Sequence, residues 1–513
     1  MARNTETTTT TAIANPFAGL GPTEKRVVSY AALIGKEFDF SILANATEMD
    51  DESLAELLER LVQLGILKEL KEGDSYAFVR TATFVQAYRD IPSSSLKGIH
   101  KKIARAYEKL HPDPTPDVIP EMGRHFYLGG VHDKSLLYNR YAATQAMNAF
   151  SPDVAIRHLE RAREDLTALP GDHSVEEAEV LKEIGEQHDA MGDNARADQF
   201  YWESLNKLPQ GEVTLRALLL LLRADAAREM DQLALARQYC EEAIRLLEQV
   251  GHKKGLALAH HALSRNDFRD GQLEAGRREI EATIQLLDPE KDAKEVGSCY
   301  IDLGNISSSA DATNNQTKAI ESYKMAIEIL EPLHDYNGLA RAHNNLALAL
   351  MPDHPGEALG EIVKARAYSE KTKNRRDLGW RLFNSVEIHL ALGMVDEATR
   401  DNEEAGKILS LLNDPMGKQQ VALNHGIIAH YRRSYEEAER AYLRSLKQSQ
   451  ELGYPQVVVE TLVHLAILYA DWGKRGKAMT EISRIRELGE EKIDHSLKVD
   501  YDNMMQRLGY RPS

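Results

Sequence analysis

The sequence predicts an all-α fold: a right-handed superhelical solenoid of helical hairpins preceded by a small winged-helix-like domain. A small side chain recurs every 39 to 43 residues, at Ala197, Ala236, Gly276, Ala319, Ala358, Ala398, Ala438 and Ala478. Most of these have a second small residue about 12 positions earlier and a third seven positions later. Only small side chains let two antiparallel helices approach closely, so this fixed period indicates stacked hairpins.

The composition is that of a globular protein with an acidic bias. Of 513 residues 28% are charged, and the net charge is −17. Phosphate contacts need clustered lysine and arginine, so this charge argues against binding to nucleic acid or anionic membranes and leaves room for a basic partner. The two cysteines are too few for a disulfide framework. No apolar window approaches the length of about 18 residues that spans a membrane, so a cytoplasmic location is expected.

The first 115 residues fall into two predicted segments. Residues 1–20 contain an unbroken threonine run at 7–11 and are predicted to be a disordered leader. Residues 21–115 are predicted to form the winged-helix-like domain and a helical arm. Their predicted elements are helices over 23–32, 38–46 and 50–64, strands over 66–70 and 76–79, and two more helices that end near Leu110.

The repeat array is predicted over residues 116–491, with degenerate first hairpins and eight clear ones from Val175 onward. Gly192, Gly271, Gly393 and Gly473 fall at corresponding hairpin turns, where a residue that tolerates positive φ is useful. The single 43-residue interval coincides with an insertion at 310–316. Residues 492–513 are predicted to form a C-terminal capping helix, polar on the face that has no neighbour.

The repeat resembles the tetratricopeptide motif. Gly185, Ala197, Tyr201 and Ser204 follow its pattern, and so do the segments around Gly304 and Gly426. The period is nearer 40 residues than the usual 34 or so, which is similar to the long-helix variety of kinesin light chain and of bacterial signalling regulators. In solenoids of this type the first helix of each hairpin lines the concave surface, so the resemblance implies a groove that binds protein segments.

The segment 25–166 has a second resemblance, to the winged-helix and linker portion of large bacterial signalling ATPases. The matching stretches are 31–38, the leucine-rich helix that ends at Gly65, and the helix over 99–107. Those ATPases carry a nucleotide-binding module, but no stretch of this sequence matches the phosphate-binding loop pattern. The resemblance therefore implies a signalling context without ATPase activity.

No catalytic or metal-binding motif is present in the sequence. It lacks the zinc-protease, paired-cysteine and nucleophile-elbow patterns, and its carboxylates are spread over solvated helix faces. The adjacent His260 and His261 face opposite ways on a helix, and His425 and His430 miss the spacing that metals use. A non-enzymatic protein without metal or cofactor is expected.

The winged helix suggests DNA binding, but its charge argues against this function. Between Leu20 and Arg80 there are 7 basic and 12 acidic residues. The helix that would enter a DNA groove, 50–64, has five acidic residues and Arg60 as its one cation. Phosphates would repel this helix, so no nucleic-acid partner is expected.

The candidate partner-binding residues follow the first helices of the hairpins. Asparagines at one register position, with two nearby amides and three cations, are expected to line the groove: Asn345, Asn384, Asn424, Asn305, Asn344, Arg341, Arg265 and His430. An amide both donates and accepts, which suits sequence-tolerant binding of an extended peptide. The alternative is that these asparagines brace the solenoid internally. Glu179, Glu186 and Asp189 are expected to make the other end of the groove acidic.

Together these features predict a protein–protein interaction scaffold or adaptor in intracellular signalling that holds a partner segment in the concave groove. The expected partner is a protein such as a kinase or signalling regulator. The first alternative is a transcriptional regulator whose array senses a peptide or protein. A second is an enzyme subunit that supplies only regulation.

Overall fold

The computed structural model describes residues 16–71, 74–149, 151–309, 313–372, 374–412, 414–453, 455–493 and 495–509. The chain divides into two compact units, 1–239 (unit 1) and 240–513 (unit 2). Most of the predicted disordered leader lies outside the described residues, whereas Phe17 and Leu20 are buried in the first hydrophobic core. The predicted domain boundaries at 115/116 and 491/492 stay predictions.

The N-terminal module of unit 1 combines three helices with a small antiparallel sheet. The strand order is β1-β3-β2, and Phe38 of β1 pairs with Tyr76 of β3. The aromatic rings of these two residues stack at 6.1 Å over the core. The elements are α1 Pro22–Ile34, β1 Glu37–Asp39, α2 Phe40–Thr47, α3 Asp51–Gln63, β2 Leu67–Lys71 and β3 Ser75–Phe78.

Strand β1 corrects one prediction. The helix predicted over 38–46 begins instead at Phe40, because Phe38 lies in the strand. A three-residue strand has almost no local signal, since its stabilisation comes from pairing with a segment almost 40 residues later. The third helix agrees with its prediction: the Asp50 side chain accepts a hydrogen bond of 2.9 Å from the Ser53 backbone, and Gly65 follows with a φ of +68°.

Two further helices, α4 Thr81–Arg89 and α5 Ser93–Leu110, complete this module. The basic side chains of α5 are partly neutralised. Lys102 forms an ion pair of 2.9 Å with Glu48, and Lys109 donates to the side chain of Asn45 at the same distance. Helix α5 is therefore docked against α2 and the residue that follows it, and its cations are not a free surface along the whole helix.

Tandem helices continue unit 1 and form all of unit 2. Helices α7 and α8, and likewise α9 and α10, pack as hairpins in unit 1, and unit 2 contains six hairpins from α13 to α24. The helices of unit 1 are α6 Ile119–Leu128, α7 His132–Asn148, α8 Pro152–Ala168, α9 Ser174–Ala190, α10 Asn194–Lys207 and α11 Val213–Glu229, and the boundary between the units falls within α12 Leu233–Val250. Those of unit 2 are α13 Lys253–Arg269, α14 Leu273–Leu286, α15 Ala293–Ser308, α16 Thr313–Leu330, α17 Tyr336–Leu350, α18 Pro355–Lys371, α19 Arg375–Ala391, α20 Val395–Leu411, α21 Pro415–Tyr431, α22 Tyr435–Leu452, α23 Pro455–Asp471, α24 Arg475–Leu488 and α25 His495–Arg507.

The predicted all-α class is confirmed, since the described residues form 25 α-helices and three short strands. Every small residue of the 40-residue period is buried at a helix–helix contact; Ala319, Ala358 and Ala398, for example, are 0% exposed. The predicted turn glycines have φ angles between +74° and +77°. Asp231 and Arg433 adopt the same left-handed conformation at the equivalent turns, so the hairpin imposes this geometry even on residues other than glycine.

Size matching between the two helices of a hairpin sets the residue at the second small position. An added Cβ at Gly426 would lie 2.4 Å from the Tyr442 ring, and Gly304 meets Tyr323 at the same distance. In the hairpins that have alanine at this position, the residue corresponding to the tyrosine is smaller: Ala347 has Ile362, and Ala466 has Ile482. The helices thus keep one spacing because a smaller residue on one helix accompanies a larger one on the other.

The C-terminal helix α25 closes the apolar end of unit 2. Tyr501 and Met504 are 1% exposed and belong to the same core as α23 and α24. The Tyr501 hydroxyl donates a hydrogen bond of 3.1 Å to Glu490. The capping role of residues 492–513 stays a prediction. Residues 510–513 and part of the predicted insertion, 310–312, lie outside the described residues.

Candidate functional site

The first helices of the hairpins form one continuous face in unit 2. Each first helix contacts the first helix of the following hairpin directly, in the order α13, α15, α17, α19, α21 and α23. The second helices make no comparable contact with one another within the described part of unit 2. Neighbours that lie closer together line the inner side of a curved stack, so the first helices form its inner face. We call this surface the inner face.

The predicted asparagines meet one another across this face. The Asn345 side chain of α17 donates to Oδ1 of Asn305 on α15 at 2.8 Å. Asn384 of α19 donates to Oδ1 of Asn344 on α17, also at 2.8 Å, and Asn344 donates to Asn345 at 3.0 Å. These three bonds connect α15, α17 and α19 through side chains alone. The asparagines therefore brace successive hairpins, as the alternative interpretation of the sequence proposed.

Asn424 differs from the other asparagines of its register position. It is fully buried and donates to the backbone carbonyl of Phe383 at 3.1 Å, while its Oδ1 atom accepts no hydrogen bond. Asn345 and Asn384 are only half-buried. Each keeps unused hydrogen-bonding capacity, because an amide offers two donors and two acceptor lone pairs. A segment lying on the inner face can reach Asn345 and Asn384 but not Asn424.

The predicted cations lie on three of the first helices: Arg265 on α13, Arg341 on α17 and His430 on α21. Arg341 is 46% exposed and forms a long ion pair of 3.4 Å with Asp302 of α15. Burial opposes ionisation of Asp302, but its hydrogen bond with His261 and the charges of Arg341 and Arg265 outweigh this effect, so the pKa of the carboxyl lies below its usual value. Nε2 of His430 on α21 lies 3.1 Å from a carboxylate oxygen of Asp471 on α23, and this contact joins the two helices.

The sequence did not single out Arg381 of α19. Its side chain is only 9% exposed, its Nε atom is enclosed without a hydrogen-bond partner, and it forms no ion pair with any described residue. Burial lowers the pKa of the guanidinium; Asp377 opposes that shift and Arg341 adds to it. Arg381 lies one helical turn before Asn384, so helical periodicity alone would have placed it near the hydrogen-bonded asparagines. Only the structure shows that it is buried and forms no ion pair with a described residue.

Comparison with known proteins supports the repeat type. No protein-family model matches the chain. The human protein named tetratricopeptide repeat protein 19, mitochondrial, is 24% identical over 291 residues, which cover 52% of this chain and 75% of that protein. Its repeat type agrees with the glycine–tyrosine packing and the small-residue period described above. The chain is thus similar to a tetratricopeptide-repeat protein over about half of its length.

Solved structures similar to the chain include two signalling proteins. One is a signal transduction ATPase with numerous domains from Pyrococcus horikoshii, which has a tetratricopeptide repeat sensor; the TM-score is 0.46 and the identity 13%, over 94% of this chain and 66% of that one. The other is the apo form of the quorum sensor NprR from B. thuringiensis, with a TM-score of 0.47 and 14% identity, over 69% of this chain and 96% of that one.

One cluster of side chains in unit 2 has the connectivity of a cysteine–histidine–aspartate triad. Cys299 Sγ lies 3.8 Å from Nδ1 of His261, whose Nε2 lies 2.8 Å from Asp302. Cys299 is 0% exposed, and burial raises its pKa to about 12. A nucleophile must be a thiolate that a substrate can reach, so this thiol is a buried core residue. Among the described residues, no three metal-ligating side chains lie close enough to hold an ion.

Helix α9 of unit 1 carries the acidic residues that the sequence singled out. Burial raises the pKa of Asp189 on α9, and Asp225 and Glu229 of α11 raise it further. Glu186 is held by Lys182 at 2.9 Å on the same helix. The excess of negative charge is confined to α9, which has six carboxylates and one lysine, whereas α11 has three arginines and two carboxylates.

Helix α3, which would enter a DNA groove, has no free cation. Its one arginine, Arg60, forms an ion pair of 3.0 Å with Glu24 of α1. Asp51, Glu52 and Glu56 are exposed on the same helix. Such a face repels phosphates. No helix in the described part of the chain is long and apolar enough to span a membrane.

Proposed function

We propose that the protein is a non-enzymatic interaction scaffold in signalling and that the inner face of unit 2 holds an extended segment of a protein partner. The observation that supports this most directly is the open capacity of Asn345, Asn384 and Arg341, side by side on adjacent first helices. An extended segment exposes backbone N–H and C=O groups in alternation, and amides can bind both. The expected partner is a kinase or another signalling regulator, and the cytoplasmic location stays a prediction.

Bracing and binding are compatible at these positions. Asn345 and Asn384 use one donor each in the chain of hydrogen bonds, which holds their side chains in fixed orientations. A side chain that is already fixed loses less conformational entropy when it binds a partner. The hydrogen-bonded asparagines therefore present a preorganised row of amides rather than a row of flexible side chains.

The test is a selection of 12-residue peptides from a random phage-displayed library against the full chain. Changing Asn345 and Asn384 together to Ala should weaken binding of the selected peptides at least tenfold. Each lost hydrogen bond contributes about 0.5–1.5 kcal/mol, and about 1.4 kcal/mol corresponds to one decade.

Asn424→Ala is the matched control. It should lower the unfolding temperature, because the Phe383 carbonyl loses its buried donor, yet it should leave peptide affinity unchanged. The proposal fails if the library yields no binder, or if the double variant, still folded by circular dichroism, binds the selected peptides as well as the parent does.

A further inference from the structure

We infer that Arg381 and Arg341 form an anion-accepting site on the inner face that selects an acidic side chain, Asp or Glu, in the bound segment. This inference rests on the proposed function and adds a charge requirement at one position of the partner. It concerns α17 and α19, the same two helices that present the open amides.

The unpaired burial of Arg381 is the first observation behind this inference. A charged group taken out of water is costly unless an opposite charge compensates it. The other deeply buried arginine, Arg228, illustrates the usual arrangement: it is 5% exposed and lies 2.5 Å from Asp225 and 3.5 Å from Glu229. Arg381 forms no ion pair with a described residue, and Asp377, one turn earlier on the same helix, offsets the effect of burial only in part. An anion from another molecule would complete the compensation.

The terminal nitrogens of Arg381 are the part that a ligand can reach. Nε is the only atom of this side chain that is enclosed without a hydrogen-bond partner. The two terminal nitrogens make no hydrogen bond with described residues, so they must retain some exposure to solvent. The side chain is therefore almost wholly buried, and the small exposure that it keeps includes its two terminal nitrogens.

Arg341 supplies a second cation next to the first. Arg341 lies 40 residues before Arg381, the same offset at which Asn344 of α17 accepts a hydrogen bond of 2.8 Å from Asn384 of α19, so the two arginines occupy corresponding positions on adjacent helices. Burial lowers the pKa of Arg381, and the charge of Arg341 lowers it further. The 3.4 Å contact of Arg341 with Asp302 is long, and Asp302 has a closer partner in His261 at 2.8 Å. Arg341 therefore keeps most of its five donors for a ligand. Two adjacent cations repel each other, and a carboxylate between them would remove that repulsion.

A carboxylate on an extended segment is the ligand that fits the two arginines and their neighbouring amides best. Asn384 follows Arg381 by three residues and Asn345 follows Arg341 by four, so each arginine shares a helix face with an amide. The amides can bind the backbone of the segment while the guanidinium groups bind its side chain in the planar, two-point manner that arginine favours. The net charge of −17 disfavours acidic ligands in general, so a preference for Asp or Glu at one position would have to be local.

The test uses peptides from the same library, each made also with its Asp or Glu changed to Asn or Gln. Peptides that bind the full chain should share an acidic residue at one position, and the amide version should bind at least tenfold more weakly. Arg381→Met should abolish this difference, and Arg341→Gln should reduce it. Arg375→Met is the control, because Arg375 is an exposed residue of the same helix, and it should leave the acidic preference intact.

A thermal unfolding measurement without peptide separates a binding role from a structural one. Arg381→Met should unfold at the same temperature as the parent or higher, because it removes an uncompensated buried charge. If Arg381→Met unfolds earlier and still discriminates acid from amide, Arg381 is a structural residue and the inference is wrong. If binders are found without acidic preference, the inference is wrong while the proposed function stands; if none is found, the proposed function fails first.

Discussion

Replacing Gly426 with Ala tests the packing rule on which the array depends. The new Cβ would lie 2.4 Å from two carbons of the Tyr442 ring and 3.0 Å from a third. Comfortable carbon–carbon separations are about 3.5–4.0 Å, so the ring or the helix must move by roughly 1 Å. The ring has little freedom to move, because Tyr442 is 0% exposed and its other side stacks on His464 at 5.6 Å.

The size of the effect follows from two opposing contributions. Alanine is favoured over glycine within a helix by about 1 kcal/mol, whereas overpacking of this kind costs about 1–3 kcal/mol. Gly360 is a matched control, since it lies within α18 and a Cβ there would meet nothing within 4 Å. Gly360→Ala should therefore stabilise the protein, and Gly426→Ala should be less stable than Gly360→Ala by about 1–3 kcal/mol.

The assay is urea unfolding followed by far-ultraviolet circular dichroism on the parent and both variants. A double variant, Gly426→Ala with Tyr442→Ile, recreates the alanine–isoleucine pair found at Ala466 and Ile482. Tyr442 suits this change, because its hydroxyl is buried without a hydrogen-bond partner. The two substitutions should compensate each other in a double-mutant cycle. Equal stabilisation by Gly426→Ala and Gly360→Ala, or additive effects in the double variant, would refute the size-matching rule.

Two further predictions concern pH and DNA. His100 and His125 share a buried contact of 3.0 Å between their Nδ1 atoms, and burial, reinforced by Arg124, lowers their pKa values to about 4 and about 2. Both pKa values are lower in the folded protein than in the unfolded chain, so the contribution of these histidines to the free energy of unfolding should be complete above about pH 6.5. This contribution should fall as the pH drops towards 4, by about 1.4 kcal/mol per pH unit for each histidine. Replacing both by Leu should flatten the dependence of the urea midpoint on pH in this window. In an electrophoretic mobility-shift assay at about 150 mM salt, the full chain should not retard a DNA duplex of about 30 base pairs, because the one cation of α3, Arg60, is paired with Glu24. A submicromolar dissociation constant would restore the transcriptional-regulator alternative.

The candidate site was predicted in part. The sequence identified Asn345 and Asn384 by their spacing, and the structure places them on adjacent first helices. The sequence could not show that Asn384 donates to Asn344 rather than to Asn345, because that choice depends on the rotation of one helix against the next. Arg381 was missed for a related reason: nothing in its neighbours along the chain distinguishes a buried arginine from a solvated one.

The sequence by itself determined the class, the period and the turns of this protein. A small residue every 40 or so positions and glycine at the turns are local requirements of a helical hairpin, so they are visible in a single chain. Tertiary structure alone decided three other features: strand β1, which exists only through pairing with β3; the matching of Gly426 to Tyr442 across a hairpin; and the burial of Arg381 without an ion pair to any described residue. Each of these depends on atoms brought together from distant positions, and the energy of such contacts is set by distances that no local pattern encodes.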